Sequence, residues 1–180
     1  EAGPGKTVAV VGDGAVGLLG VLAAKQLGAE RIIAMSRHAD RQRLAREFGA
    51  TDIVTERGDE GVARIKDLTN GLGAHSTIEA VGTQESMMQA IRATRAGGHV
   101  GYVGVSHDVE LPGLELFFSG VHLHGGPAPV RRFLPELIDL IWNRTINPGK
   151  VFDLTLPLDQ AAEGYRAMDE RRAIKVLLNL

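Results

Sequence analysis

The glycine pattern of residues 12 to 17, GDGAVG, constrains the fold of this chain more than any other feature. It follows the apolar run Thr7 to Val11, which is typical of a strand buried on both faces. It also opens a segment, Ala15 to Leu27, whose apolar residues recur at helical spacing. In a strand, turn and helix unit of this kind, the first glycine allows a tight turn and the second lets a phosphate approach the backbone. The third lets helix and strand pack closely. Because the free amides at a helix start bind anions, we predict a dinucleotide pyrophosphate site here, with a glycine turn that only packs as the alternative.

Short apolar runs alternate with helical segments through residue 124, which is the pattern of a parallel sheet covered on both faces. The predicted strands are Thr7 to Val11, Arg31 to Met35, Asp52 to Val54, Ser76 to Val81, His99 to Val105 and Val121 to His124. The predicted helices are Ala15 to Leu27, Ala39 to Phe48, Glu60 to Leu68, Gln84 to Arg95 and Leu114 to Ser119. We therefore predict an α/β fold, a Rossmann-type doubly wound parallel six-stranded sheet with helices on both faces.

After Gly125 the regular alternation of apolar runs and helical segments stops. A helix is predicted over Val130 to Asn143, an extended run over Val151 to Leu156, a helix over Asp159 to Met168 and a strand over Ile174 to Leu178. We predict two regions: an NAD(P)-binding Rossmann domain over residues 1–124 and a helical and extended C-terminal segment over residues 125–180.

The end of the second predicted strand bears on the choice of nucleotide. A carboxylate about 20 residues beyond the glycine turn would bind the 2′-hydroxyl of the adenosine ribose. This chain instead has Ser36 and Arg37, with Arg41 one helical turn later. A hydroxyl and two guanidinium groups suit a 2′-phosphate, so NADP is predicted over NAD; the alternative is that both arginines are solvated surface charges. Asp13, whose charge would oppose a bound phosphate, is expected to point to solvent.

Composition excludes several classes of function. Twenty Lys and Arg against 22 Asp and Glu leave a net charge of −2, so no surface for nucleic acid or an anionic membrane is expected. The absence of cysteine excludes a disulfide, a thiol nucleophile and thiolate-held zinc within this chain. His122 and His124 lack a third ligand at suitable spacing, and no Gly-x-Ser-x-Gly elbow occurs. We predict no metal site and no catalytic residues in this chain.

From Lys6 to Leu180 the sequence resembles the cofactor-binding part of the medium-chain, zinc-dependent alcohol dehydrogenases. The matching stretches are Val8 to Gly17, Arg31 to Thr51, Glu79 to Gly82, Gly97-Gly98 leading into Tyr102 to Val105, and Ala161 to Leu178.

The resemblance implies a role for particular residues in holding NADP, or less favourably NAD. It assigns the pyrophosphate to Gly12, Gly14, Ala15, Val16 and Gly17, and the adenosine ribose to Ser36, Arg37 and Arg41. It assigns the adenine side to Val81 and Gly82, nicotinamide and its ribose to Val103, Gly104 and Val105, and the carboxamide to main chain around His122 and His124. Lys175 is implied near the pyrophosphate.

The resemblance also implies the activity of the complete enzyme, which is hydride transfer between an alcohol or polyol and NADP with zinc polarising the substrate oxygen. In that family an upstream catalytic lobe contributes most zinc ligands, and the segment matching residues 125–180 returns to that lobe. We expect this chain to lack the lobe, so that alone it binds cofactor without turning over alcohols. A homodimer or higher homo-oligomer is implied, with the apolar segment Leu114 to Leu123 as a candidate contact.

Two other functions remain open on the sequence. One is the cofactor domain of a zinc-free, quinone reductase-like enzyme, and the other is a stand-alone NAD(P)-sensing regulatory module. A cytoplasmic location without membrane contact is expected, because the chain carries no leader pattern and no long uncharged apolar stretch.

Overall fold

The computed structural model describes all of residues 1–180, which form two compact units, Glu1–Ala128 and Pro129–Leu180. None of the helices is both long enough and apolar enough to span a membrane.

The first unit is built on a six-stranded parallel sheet with strand order β3-β2-β1-β4-β5-β6. Its strands are β1 Thr7–Val11, β2 Arg31–Met35, β3 Asp52–Val54, β4 Ala74–Glu79, β5 Thr94–Tyr102 and β6 His122–Gly125. The order runs outward in one direction from β1 and in the other from β4, so the chain reverses its winding between these two neighbours. This confirms the predicted doubly wound α/β class.

Five helices connect these strands: α1 Ala15–Gln26, α2 Ala39–Glu47, α3 Gly58–Leu68, α4 Gln84–Ala93 and α5 Gly113–Ser119. Alternate residues of β1 face opposite sides of the sheet. Ala9 and Val11 share a buried cluster with residues of α3 and α4, such as Ile65 and Ile91. On the other side α1 lies close to the sheet, since a Cβ placed at Gly20 would be 3.9 Å from Val10. Both faces of the sheet are therefore covered.

The predicted and observed ends of the helices and strands agree to within two residues except at β5. This strand begins at Thr94 rather than His99 and ends at Tyr102 rather than Val105. A register shift opposite Ala74 and Ser76 of β4 lets β5 begin early. The hydroxyls of Thr77 and Thr94, 2.7 Å apart, join the two strands behind that irregularity. β5 ends early because the chain turns after Tyr102 to bond the end of β4.

The second unit contains α6 Val130–Trp142, β7 Phe152–Pro157, α7 Ala161–Asp169 and β8 Lys175–Asn179. Short 3-10 turns precede β7 and α7, over Pro148–Val151 and Leu158–Gln160. β7 and β8 pair in parallel with α7 as their crossover, and Ala167 of α7 is fully buried. The carboxylate of Asp153 accepts hydrogen bonds from the amides of Ile174 and Lys175, which fixes the start of β8.

Candidate nucleotide-binding site

The glycine turn lies at the carboxyl end of β1, beside the carboxyl end of β4, where the winding of the sheet reverses. Ligands of open α/β sheets bind at such an edge because the loops on either side diverge and leave a crevice. Gly12 has φ of +119°, which a side chain would strain, and a Cβ there would lie 2.9 Å from Val81. A Cβ at Gly17 would overlap the Gly12 carbonyl oxygen and lie 2.7 Å from its carbon. Both glycines are thus required by close approach of the backbone.

Gly14 differs from these two glycines because it faces open space. It has an ordinary extended conformation, and a Cβ placed on it would meet nothing within 4 Å. Gly14 is also the N-cap of α1, and no side chain caps this helix. The first amide donating inside the helix belongs to Leu18, 3.0 Å from the carbonyl of Gly14. The amides of Ala15, Val16 and Gly17 therefore have no acceptor within α1 and can bind an anion.

Asp13 lies inside the turn, and the prediction that it points to solvent is wrong. The residue is only 7% exposed. Its carboxylate accepts a hydrogen bond from the Ser36 hydroxyl at 2.7 Å and pairs with Arg41 at 3.2 Å. The Asp13 carbonyl oxygen accepts a second bond from the same Arg41 nitrogen, also at 3.2 Å. Asp13 is therefore neutralised in place, and it ties the glycine turn to the end of β2 and the start of α2.

The three residues predicted at the adenosine ribose are brought together, but in different environments. Ser36 is 1% exposed and Arg41 is 9% exposed, and both contact Asp13. Arg37 is exposed at the end of β2, and His38, the N-cap of α2, is half-buried beside it. Their contact with a nucleotide stays a prediction.

Glu79, the last residue of β4, organises the two loops on the other side of the crevice. It is fully buried, and its Oε1 accepts hydrogen bonds from the amides of Val81 and Gly82, both at 2.8 Å. Its main-chain carbonyl accepts from the amides of Val103 and Gly104, at 2.8 and 3.2 Å. Its Oε2 is buried without a hydrogen-bond partner. These bonds turn the chain away from both strands, which is why β4 ends before Val81.

The loops containing Val81-Gly82 and Val103 to Val105 lie directly against each other. A Cβ at Gly82 would be 2.9 Å from the carbonyl carbon of Val105, and one at Gly104 would be 2.8 Å from Oε2 of Glu79. Since Gly12 also approaches Val81, the turn and the two loops form a continuous lining. Sequence reasoning gave Glu79 no role of its own. The available signal was a carboxylate ending an apolar run just before a glycine.

Comparison with known proteins is decisive for the family. The sequence profile described as zinc-binding dehydrogenase matches residues 15–143, well over half of the chain. This chain belongs to the zinc-binding dehydrogenase family. The predicted family resemblance is therefore confirmed.

Several named relatives of this chain are alcohol dehydrogenases. A probable zinc-binding alcohol dehydrogenase of Mycobacterium tuberculosis is 41% identical over 164 residues, which are 89% of this chain and 41% of that protein. An NADP-dependent isopropanol dehydrogenase of Thermoanaerobacter brockii is 37% identical over 82% of this chain and 44% of that protein. The structure of an alcohol dehydrogenase from Thermus sp. ATN1 matches with a TM-score of 0.89 at 31% identity, over 99% of this chain and 52% of that one. The chain thus spans about half the length of its relatives or less.

The family name implies zinc, but the residues of this chain do not fit a zinc site. There is no cysteine, and no group of three or more His, Asp or Glu lies so that it could hold a metal ion. His122 instead stacks on His99, with ring centroids 4.7 Å apart.

Two of the remaining predicted site residues, His122 and His124, lie on β6, away from the glycine turn. In the sheet register His122 pairs with His99, three residues before the row that contains Gly125 and Tyr102, and two strands separate β6 from β1. His124 is exposed, one residue before that row. Lys175 begins β8 in the second unit. The assignment of these three residues to the cofactor stays a prediction.

A polar depression of about 540 Å³ lies at the opposite edge of the sheet, at the amino ends of β1, β2 and β3. It is lined by Gly5, Thr7, Glu30, Arg31, Thr51 and Asp52. Because the glycine turn follows the carboxyl end of β1, this depression is separate from the candidate site.

Proposed function

We propose that this chain is the NADP(H)-binding part of a zinc-dependent alcohol or polyol dehydrogenase, and that the dinucleotide binds along the GDGAVG turn. The uncapped start of α1 at Gly14 carries the proposal. Three helix amides there lack acceptors, and the space that a Cβ of Gly14 would enter is open. A pyrophosphate supplies acceptor oxygens and negative charge where both are needed.

The bound dinucleotide supplies hydride chemistry to the complete enzyme, and this chain's residues bind and orient it. The amides of Ala15, Val16 and Gly17 hold the pyrophosphate, while Val81 and Gly82 line the adenine side. Val103, Gly104 and Val105 lie beside nicotinamide and its ribose. Buried Glu79 supports this arrangement, because it holds both loops at the crevice by four hydrogen bonds. The zinc ligands are not among these residues, so the complete enzyme would hold the metal in its catalytic lobe.

NADP rather than NAD is the cofactor in this proposal. Arg37 supports the choice, since it is an exposed guanidinium at the end of β2 where an NAD-binding protein usually has a carboxylate. The NADP-dependent isopropanol dehydrogenase of Thermoanaerobacter brockii, at 37% identity, is consistent with this preference. Arg37 is placed to pair with the 2′-phosphate.

The rest of the enzyme supplies the chemistry. The substrate in the complete protein is a small-molecule alcohol, and residues 125–180 serve to rejoin a catalytic lobe that carries the zinc. Helix α6 supports this role for the second unit, because it has no buried residue and exposes apolar side chains such as Phe133, Ile138 and Trp142. Alone, the chain binds the dinucleotide without turning over alcohol.

A titration of the purified chain with NADPH and with NADH, followed by calorimetry, tests the binding proposal. We expect saturable binding with NADPH the tighter ligand. In Gly14→Ala, the added methyl group enters the open space, so affinity for both nucleotides should fall about tenfold, or about 1.4 kcal/mol. The fold should be unaffected, since the φ of −74° suits alanine.

Gly113→Ala is the matched control, because Gly113 starts α5 and a Cβ there also meets nothing within 4 Å. It should bind both nucleotides as the wild type does. No binding by the wild type at millimolar nucleotide, or equal affinities in Gly14→Ala and the wild type, would contradict the proposed site.

A further inference from the structure

Asp13 is the one acidic residue of the glycine turn, and its carboxylate reaches the end of β2. It lies 2.7 Å from the hydroxyl of Ser36 and 3.2 Å from Nη1 of Arg41. The side chains of Asp13 and Arg41 are only 8% and 11% exposed, so water screens this pair weakly. In dinucleotide-binding folds the end of the second strand is where the 2′ position of the adenosine ribose is read. The cluster formed by Asp13, Ser36 and Arg41 therefore lies at the position where NAD and NADP differ.

The groups that would bind a 2′-phosphate are already bonded to Asp13 within this cluster. A serine hydroxyl has one proton to donate, and Ser36 directs it to Oδ2 of Asp13. The hydroxyl oxygen of Ser36 in turn accepts the amide of His38 at 3.2 Å. The charge of Arg41 is matched by the carboxylate of Asp13. Only Arg37 is left with an exposed guanidinium at the end of β2.

We propose that Asp13 is a specificity-determining residue that limits the preference of this site for 2′-phosphorylated nucleotides. It does so by holding the proton of Ser36 and the charge of Arg41, and by opposing the phosphate with its own charge. This inference rests on the proposed function. It places the control of cofactor choice in the glycine turn as well as at the end of β2.

A purely structural role for Asp13 and a role in cofactor specificity predict different effects of removing its side chain. If Asp13 only ties the turn to β2, its removal loosens the turn and weakens all nucleotides alike. If it restrains Ser36 and Arg41, its removal frees a proton donor and a cation for a 2′-phosphate. Nucleotides with that phosphate then gain affinity relative to those without it. The ratio of the two affinities therefore distinguishes the two roles.

The experiment measures Kd for 2′,5′-ADP, 5′-AMP, NADPH and NADH by calorimetry on the wild-type chain, Asp13→Asn and Asp13→Ala. We expect the ratio Kd(5′-AMP)/Kd(2′,5′-ADP) to rise about tenfold in Asp13→Ala, the value of one additional charge-assisted hydrogen bond. Asp13→Asn keeps the size of the side chain and one of its two acceptor oxygens, so it should fold even where Asp13→Ala does not. It should show a smaller rise, because it removes the charge but can still accept a hydrogen bond from Ser36 or Arg41. NADPH and NADH should follow the same order.

Two controls make the result specific. Asp40→Asn removes an exposed carboxylate of α2 that pairs with Arg43, and should leave the ratio unchanged. In the double variant Asp13→Ala with Arg41→Met, the gain for 2′,5′-ADP should be largely lost, because Arg41 supplies it. An unchanged or lower ratio in both Asp13 variants would overturn the inference while leaving the proposed function standing. If the wild-type chain binds none of the four ligands, the proposed function is wrong and the inference falls with it.

Discussion

Arg37 is the residue on which the proposed preference for NADP depends most directly. It is exposed at the end of β2, next to the buried cluster of Asp13, Ser36 and Arg41. Arg37→Asp replaces the free cation with a charge that repels a 2′-phosphate, so we expect NADPH affinity to fall about tenfold to a hundredfold. NADH affinity should change little. Fluorescence titration with both nucleotides measures the difference.

Arg46→Asp is the control for Arg37→Asp, since Arg46 is an exposed cation in the last turn of α2. Arg46→Asp changes the net charge by the same amount as Arg37→Asp, but at a position nine residues further along the chain from the end of β2. If both variants weaken NADPH to the same extent, the effect belongs to overall charge and Arg37 does not contact the phosphate.

We expect His75 to make the stability of the first unit depend on pH. Burial of the ring and the positive charges of Arg95 and Lys6 hold the pKa of His75 below its ordinary value. Its Nδ1 accepts the amide of Thr7 at 3.0 Å, which only an unprotonated nitrogen can do. The unfolded chain then binds more protons than the folded one at mildly acidic pH. The contribution of neutral His75 to stability is fully present above about pH 6.5 and is lost as pH falls below it.

The variant His75→Asn tests this pH dependence, because its amide oxygen can accept the Thr7 bond and does not titrate. We expect its urea midpoint to fall less than that of the wild type between about pH 7.5 and about pH 5.5. Other histidines contribute equally to both proteins. Parallel curves for the two would show that His75 does not carry the dependence.

At the scale of elements, Glu79 determines how the loops after β4 and β5 leave the sheet. Its carboxylate holds the amides of Val81 and Gly82 at a fully buried position. In Glu79→Ala both amides lose their acceptor, at about 1–3 kcal/mol for each buried group. We expect a fall in unfolding free energy of roughly 2–4 kcal/mol, after allowing for partial hydration of the loop. Urea unfolding followed by circular dichroism measures it.

Glu79→Gln is the informative comparison for that prediction, because a glutamine retains an oxygen at the position of Oε1. It should keep most of the stability that Glu79→Ala loses. A loss in Glu79→Gln as large as in Glu79→Ala would mean that the charge of Glu79, rather than its two hydrogen bonds, stabilises the loops.

At the scale of the whole molecule, the edge of the sheet at β6 is a candidate surface for self-association. β6 is an outermost strand, so one side of its backbone is unpaired within the sheet. The neighbouring helix α5 exposes Leu114, Phe117 and Phe118, each more than 70% exposed. We propose that this surface pairs two copies of the chain. Sedimentation at tens of micromolar should show a dimer, and Phe117→Asp should shift it toward monomer by burying a charge at the contact.

Leu72→Glu is the control for Phe117→Asp, since Leu72 is a similarly exposed apolar residue, 60% exposed, in the turn before β4. It should leave the dimer intact. A wild-type chain that sediments as a monomer at these concentrations would contradict the proposed pairing of this chain.

Much of the fold was predictable because its causes are local. β1, β2 and β3 begin and end where predicted, since each is a compact apolar run next to glycine or polar residues. Glycines 28 and 49 mark the ends of α1 and α2 and take φ of +82° and +113°. β5 was less predictable because its start depends on a register shift against β4. A pairing irregularity of that kind leaves no mark on a single strand's sequence.

The sequence by itself determined the winding of the sheet and the existence of the glycine turn. Both follow from short-range patterns, the alternation of apolar runs with helical segments and the spacing of three glycines. Only the tertiary structure decided where the charged groups at the site point. Asp13 contacts residues 23 and 28 positions away, and the loops joined at Glu79 come from separate strands. A buried carboxylate is stable only where hydrogen-bond donors or cations pair with it. The orientation of such a carboxylate therefore depends on which distant donors the fold brings near it.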